Sequence, residues 1–348
     1  MNIFTLNVSE ALNRHIEVGQ YSRVFILCDT HSKNCCLPLL HTSFKYTLIS
    51  VEPGEYHKNL QTCSQIWKQL AEADADRNAV LINLGGGGIT DMGGFAAATY
   101  QRGIDFIHIP TTLLAMVDAG IGGKTGVNLG DLKNYVGVFK LPVACICSPV
   151  FLQSLPNEEL LNGKAEMIKH GALAGGELWE LCSSDFPPAE DHQSWLHAIQ
   201  LNAEFKANIT RTDFKENNIR AMLNFGHTAG HALESLALKS GKILPHGKAV
   251  AAGMIIETLC ANMAGVCEEN WLEILSETIN RHFKPVNYLR SDIPNLIDYC
   301  RKDKKNENDD IIIVPVREAG NPLVKMPISS KILTGAFEQY CHDTAQMC

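Results

Sequence analysis

Two histidines, His227 and His231, stand four residues apart in the run Asn224-Phe225-Gly226-His227-Thr228-Ala229-Gly230-His231-Ala232-Leu233-Glu234. On a helix that spacing puts both imidazoles on one face, where two nitrogens can converge. His246 follows in Leu244-Pro245-His246-Gly247, where proline closes one element and the apolar pattern after Lys248 opens another, so a loop is expected to bring in the third nitrogen. Glu166 precedes Lys169 by one helical turn in Gly163-Lys164-Ala165-Glu166-Met167-Ile168-Lys169-His170. Two imidazoles and a carboxylate that leave one position open form the ligand set of a catalytic divalent cation. An exposed Glu166–Lys169 ion pair, and chance spacing among 13 histidines, account for the same residues without any metal. No CxxC pair occurs, so a bound metal has to rely on His and carboxylate.

A second group is Gly85-Gly86-Gly87-Gly88, directly after the apolar run Val80 to Leu84 and before an Ala-rich helical stretch beginning near Gly93. Strand, glycine turn and helix in that order let backbone amides approach a pyrophosphate at the positive end of a helix. The dinucleotide fingerprint has a third glycine where Thr90 stands here, so a tight structural turn explains the motif equally well.

The elements that have to position these groups fall into two textures. Short β-branched runs at Val24 to Cys28, Val80 to Leu84, Phe106 to Ile109 and Val143 to Cys147 alternate with helical patterns such as Leu60, Cys63, Trp67 and Leu70. This predicts an α/β domain with a parallel sheet over residues 1–150. From about Asn157 long helical patterns dominate, for example His192 to Ile209 and Lys248 to Ala264, with Ile311 to Val316 a lone strand, which predicts a mainly α-helical C-terminal domain over 151–348. The chain has 348 residues, enough for two cores. A formal charge of -8 without a dense Lys/Arg run argues against nucleic acid or anionic lipid as partner and favours a small molecule. No apolar stretch reaches bilayer length and the start lacks the features of a signal peptide, so a cytoplasmic protein is expected. The 12 cysteines are scattered and many sit in apolar segments, consistent with reduced, buried thiols.

The blocks Gly85 to Gly103, Pro110 to Asn128, Lys133 to Gly137, Gly163 to Gly171, Asn224 to Glu234 and Pro245 to Gly253 resemble, in order, the signature series of the 3-dehydroquinate synthase family. The likeness runs from about Asp29 to Lys305. It implies a dehydroquinate synthase-like fold, with an α/β N-terminal NAD-binding domain and a helical C-terminal domain that binds metal and substrate. It further implies Zn2+ or Co2+ as the metal, a sugar phosphate as substrate and a homodimer. Carried over by position, the metal ligands are Glu166, His227 and His246, and His231 handles protons beside the substrate phosphate. Lys124, Lys169, Asp118, Arg220 and Asn224 join His231 as catalytic residues. Lys133, Asn134, Lys206, and Lys304 or Lys305 bind substrate, and Arg102 reaches a neighbouring subunit. The NAD set is Asp29, Glu55, Lys58, Gly86, Gly87, Asp91, Thr111, Thr112, Phe151, Ser154, Leu155 and Glu159. Departures from the family pattern are His31, Ala119-Gly120, Lys248 and Asn218, the last standing where glycine is usual and expected to take up the left-handed backbone. Competing readings are a cyclase making 2-deoxy-scyllo-inosose or a valiolone, a metal-dependent polyol dehydrogenase, and a catalytically inactive NAD-binding protein.

Overall fold

The computed structural model describes residues 1–130, 132–302 and 310–346. It divides into two compact units, residues 1–160 with 187–207, and residues 161–186 with 208–348. The first unit therefore extends past the boundary expected at 150 and takes back a later segment. That segment carries Trp195 and Ile199, both buried, and texture alone does not reveal that it returns.

In the first unit, β1 (Asn2–Phe4), β2 (Val24–Asp29), β3 (Thr47–Val51), β4 (Val80–Gly85), β5 (Asp105–Pro110) and β8 (Ala144–Cys147) form one sheet. Its order is β1-β8-β5-β4-β2-β3 and every neighbouring pair is parallel. The central strands are buried throughout, which is why they read as continuous apolar runs. The order reverses between β2 and β4, where a doubly wound sheet opens a crevice beyond the carboxyl ends of its strands. Helices α1 (Val8–Gly19), α2 (Thr30–Cys35), α3 (Leu60–Glu72) and α4 (Gly87–Thr99) connect these strands. Cys63, Ile66 and Leu70 of α3 pack with Ile89, Met92 and Phe95 of α4 on Phe25, Leu27, Leu81 and Phe106. An antiparallel hairpin, β6 (Lys124–Leu129) and β7 (Leu132–Phe139), precedes β8. Its mixed polar and glycine-containing sequence gave no strand signal, because β7 is almost wholly exposed.

α5 (Asn157–Ala174) leads into the second unit, which also holds α6 (Gly176–Ser183), α8 (His227–Lys239), α9 (His246–Met263), α10 (Glu269–His282), α11 (Ile293–Arg301) and α12 (Ser330–Gln346). α7 (His192–Thr212) begins in the first unit. Among the described residues of the second unit the strands are the short antiparallel pair β9 (Ile311–Ile313) and β10 (Met326–Ile328). The core of this unit is the contact between α8 and α9. A Cβ on Gly253 would lie 1.9 Å from the Gly226 carbonyl oxygen and 2.7 Å from the Gly230 nitrogen. Glycine at 226, 230 and 253 thus lets the two backbones touch. No helix among the described residues is long and apolar enough to cross a membrane.

Candidate active site

The second unit brings Glu166, His227 and His246 together. Glu166 projects from α5 and is buried. His227 opens α8 and His246 opens α9, so His246 is the first residue of a helix and not part of the loop expected from Pro245. Proline as N-cap supplies no N–H and ends the preceding chain, which starts the helix one residue later. The Asn162 side chain, one turn before Glu166, accepts from the Gly247 amide at 2.8 Å and ties the start of α9 to α5.

His227 Nε2 lies 3.6 Å from Glu166 Oε1, and His246 Nε2 lies 3.7 Å from the same oxygen. The three ligand atoms all fall within 4.8 Å of one another. A tetrahedral zinc with bonds near 2.05 Å separates its ligands by about 3.4 Å, so a cation fits with small adjustments. The far side of each ring supports this. His227 Nδ1 donates to the Phe225 carbonyl at 3.1 Å, and His246 Nδ1 donates to Glu234 Oε1 at 3.4 Å. With a cation bound, each Nδ1 would keep its proton and each Nε2 would offer its lone pair, the outer-shell arrangement of a metal-binding histidine. Burial, followed by Lys169, holds the His227 imidazole well below its ordinary value. Burial also disfavours a charged His246, but hydrogen bonds to Glu166 and Glu234 outweigh it and push that group up to about 10. The two rings shift in opposite directions because His246 is hydrogen-bonded to Glu166 and Glu234, whereas burial and the charge of Lys169 outweigh the attraction of Glu166 at His227. A cation bound at His246 Nε2 would compete with a proton there.

Around this trio, Lys169 is buried and pairs with Glu166. His231 is exposed on α8, with its ring centroid 5.4 Å from that of His227. Arg220 and Asn224 lie in a short turn, Ile219–Asn224. Asp213 accepts from the amides of Asn217, Asn218 and Arg220, and Arg220 donates to the Phe214 carbonyl at 2.7 Å. Asn218 has φ -147°, so the left-handed conformation expected there is absent; Glu216 takes it instead, at φ 61°. Asp213 caps the turn from outside, which removes the need for a left-handed residue at 218. Lys304 and Lys305 lie outside the described residues.

In the first unit some of the expected nucleotide residues stand at the carboxyl ends of strands: Asp29 at β2, Gly86 and Gly87 after β4, and Thr111 and Thr112 after β5, while Glu55 and Lys58 follow β3 and Phe151 to Glu159 follow β8. Asp29 ends β2 and caps α2 through Ser32. Gly86 is the N-cap of α4, which begins at Gly87, six residues before the start expected near Gly93, because glycine carries no helix signal of its own. A Cβ at Gly86 would meet Thr112 Cγ2 at 2.9 Å, and one at Gly87 would meet Ala119 Cβ at 3.3 Å. Gly86 offers the first-turn amides no capping side chain, so the arrangement suits a pyrophosphate at the start of α4. Thr111 is buried and its amide donates to the Gly85 carbonyl at 3.0 Å. Phe151 is buried, Leu155 half-buried, and Ser154 and Glu159 exposed.

Lys58 is buried and donates to Asp91 Oδ2 and Asn134 Oδ1, both at 2.6 Å. Burial pushes the Asp91 carboxyl up, against the opposing pull of Lys58. Asn128, which the sequence reading did not single out, donates to Glu55 Oε1 at 2.8 Å and accepts from the Asn134 amide at 2.8 Å. The expected substrate residue Asn134 is therefore bonded to the same lysine as the expected NAD residue Asp91. Lys206 lies 2.7 Å from Asp118 Oδ1 and donates to the Asp118 carbonyl. Lys124 starts β6 and Lys133 follows the hairpin turn, so four strand residues at about 3.4 Å each separate them. Both are exposed, and the hairpin alone does not bring them to one point. Arg102 is exposed with φ 72°, between Gln101 at φ 49° and Gly103 at φ 118°.

Comparison with known proteins adds independent findings. The 3-dehydroquinate synthase N-terminal family model matches residues 48–162, and the C-terminal model matches residues 163–306. A 3-dehydroquinate synthase of Parabacteroides distasonis is 37% identical over 326 residues, covering 92% of both chains. Among solved structures, 2-deoxy-scyllo-inosose synthase complexed with carbaglucose-6-phosphate, NAD+ and Co2+ superposes with a TM-score of 0.85 at 23% identity, covering 97% of this chain and 96% of that one. The 2-epi-5-epi-valiolone synthase of Streptomyces hygroscopicus subsp. jinggangensis 5008, with NAD+ and Zn2+ bound, gives a TM-score of 0.86 at 23% identity over 99% of this chain and 96% of that one. At that identity the two structures speak for the fold.

Proposed function

Because the chain belongs to the 3-dehydroquinate synthase family, we propose that it converts 3-deoxy-D-arabino-heptulosonate 7-phosphate into 3-dehydroquinate and phosphate, a carbocycle-forming lyase step of the shikimate pathway toward aromatic amino acids. The observation that carries the reading is the trio Glu166, His227 and His246, with both Nδ1 atoms committed to acceptors on the far side. When bound, NAD serves as a hydride store that ends each turnover oxidised, and Zn2+, or Co2+ in its place, polarises the hydroxyl being oxidised. The NAD+ with Co2+ or Zn2+ in the two similar structures supports this choice.

The amides of Gly86 and Gly87 receive the pyrophosphate, while Asp29, at the end of β2, stands where a carboxylate accepts from ribose hydroxyls. Glu55, Lys58, Asp91, Thr111, Thr112, Phe151, Ser154, Leu155 and Glu159 complete the cofactor's surroundings. Glu166, His227 and His246 hold the metal, and Lys169 balances the charge of Glu166. His231, exposed beside His227, moves the proton that leaves with phosphate. Lys124, Lys133, Lys206, Asn134, Arg220, Asn224 and Asp118, with Lys304 or Lys305, bind and orient the phosphate and carboxylate. Arg102, on its left-handed turn, is directed to a second copy in a cytoplasmic homodimer.

Incubation with the heptulosonate phosphate and catalytic NAD, followed by NMR, tests this reading. One phosphate released per carbocycle, with no net NADH, is expected. Release of NADH to solution would assign a polyol dehydrogenase, and turnover of glucose 6-phosphate or a heptulose 7-phosphate in its place would assign one of the other cyclases.

A further inference from the structure

Glu257 lies in the interior of α9 and is fully buried, in a helix whose other buried side chains from Ala249 to Ala261 are apolar or the hydroxyl of Thr258. A buried carboxylate persists only where it is well hydrogen-bonded. Glu257 accepts from the backbone: Oε2 from the Gly226 amide at 3.0 Å, and Oε1 from the amides of Thr228 at 2.9 Å and Ala229 at 3.3 Å. These amides form the first turn of α8, whose N-cap Gly226 (φ 77°) brings no side chain to cap them. The carboxylate thus caps α8 from a different helix, at the end where the helix dipole favours negative charge.

His227 stands between the capped amides, and its Nδ1 bonds to the carbonyl of Phe225, the residue before Gly226. The peptide segment that Glu257 grips is therefore the one that sets the direction of the His227 ring. Glu257 also follows His246 by eleven positions on α9, close to three turns at about 3.6 residues each, so both occupy the same face. One helix supplies a ligand from one end and clamps the backbone of a second ligand further along.

We propose that Glu257 is a positioning residue of the metal centre, fixing the start of α8 so that His227 Nε2 meets the same cation as His246 and Glu166. This rests on the metal-site reading above. Glu257→Gln keeps the volume of the side chain but turns an NH2 donor toward backbone donors, releasing the first turn of α8.

The test is a Co2+ titration of the full chain followed by visible d–d absorption, with thermal unfolding recorded for each variant. Thr258→Val is the control: Thr258 is equally buried on the same helix and bonds the Met254 carbonyl at 2.8 Å. Glu257→Gln is expected to bind Co2+ roughly 10–100-fold more weakly with an altered d–d band, the range for loss of an outer-shell partner. Thr258→Val is expected to lose stability and keep wild-type affinity and spectrum. A Glu257→Gln protein that titrates like wild type overturns the proposal, as does an equal loss of affinity in Thr258→Val. If Glu257→Gln does not fold, Glu257→Asp, which withdraws the carboxylate by one methylene, is judged by the same criterion. Failure of the wild type itself to develop a d–d band would instead overturn the metal site.

Discussion

At the scale of single residues, the site is defined by which atom of each side chain is already engaged. His246→Ala removes one cation ligand and leaves Glu234 without its imidazole donor. It is expected to abolish metal retention and turnover while unfolding stays cooperative, as checked by metal content after gel filtration and by phosphate release. Retention of activity in metal-stripped buffer would contradict it. A second prediction concerns His108 on β5, buried and facing the Asn83 amide nitrogen at 3.2 Å. With Asn83 donating, this ring nitrogen must be an unprotonated acceptor, and burial lowers the group from 6.5 to about 3. Its contribution to stability is therefore present above pH 6.5 and is lost as pH falls toward 3, by at most about 1.4 kcal/mol per pH unit. Urea denaturation of the first unit at several acidic pH values checks this, and His108→Gln is expected to flatten the slope. The glycine turn was legible from residue type and turn spacing; helical spacing pointed to His227 with His231, and the family resemblance was needed to set His246 beside Glu166 and His227, the three that the structure brings together. Glu257 was equally visible as the sole carboxylate in the apolar run from Lys248 to Ala264, and a buried charge always demands partners; the sequence does not say that they are amides of another helix.

At the scale of elements, the close contact of α8 and α9 governs the site. A Cβ at Gly253 would strike the backbone at Gly226 and Gly230, so Gly253→Ala is expected to force the helices apart. A destabilisation of roughly 1–3 kcal/mol is expected from such overpacking, with metal loss alongside it, measured by thermal unfolding and metal analysis. The same substitution at Gly241, where a Cβ meets open space but φ is +69°, should disturb only its own turn. Strands β2, β4, β5 and β8 were readable because burial on both faces leaves an uninterrupted apolar run. β1 and β3 were not, because they are the edges of the sheet, where side chains are partly exposed and polar residues are tolerated. The hairpin β6 and β7 escaped for a related reason. Its glycines at 126 and 137 face backbone across the ladder, a contact that local propensity does not register.

At the scale of the whole chain, the residues proposed for cofactor and for metal fall on separate units, so their effects on local opening are expected to separate as well. Hydrogen exchange after chelation should quicken in the amides of α8 and α9 and stay unchanged in β4 and β5; NAD should slow exchange at the first turn of α4. Uniform acceleration across both units on chelation would contradict this. The path of the backbone has a further consequence for biosynthesis. Because the polypeptide leaves the first unit at residue 160 and revisits it from 187 to 207, that unit cannot close until residue 207 has cleared the ribosome. A gene fragment stopping at 150 or 160 would lack the stretch bearing the buried Trp195 and Ile199, and its product is expected to leave part of the first unit's apolar interior uncovered, inviting capture by chaperones.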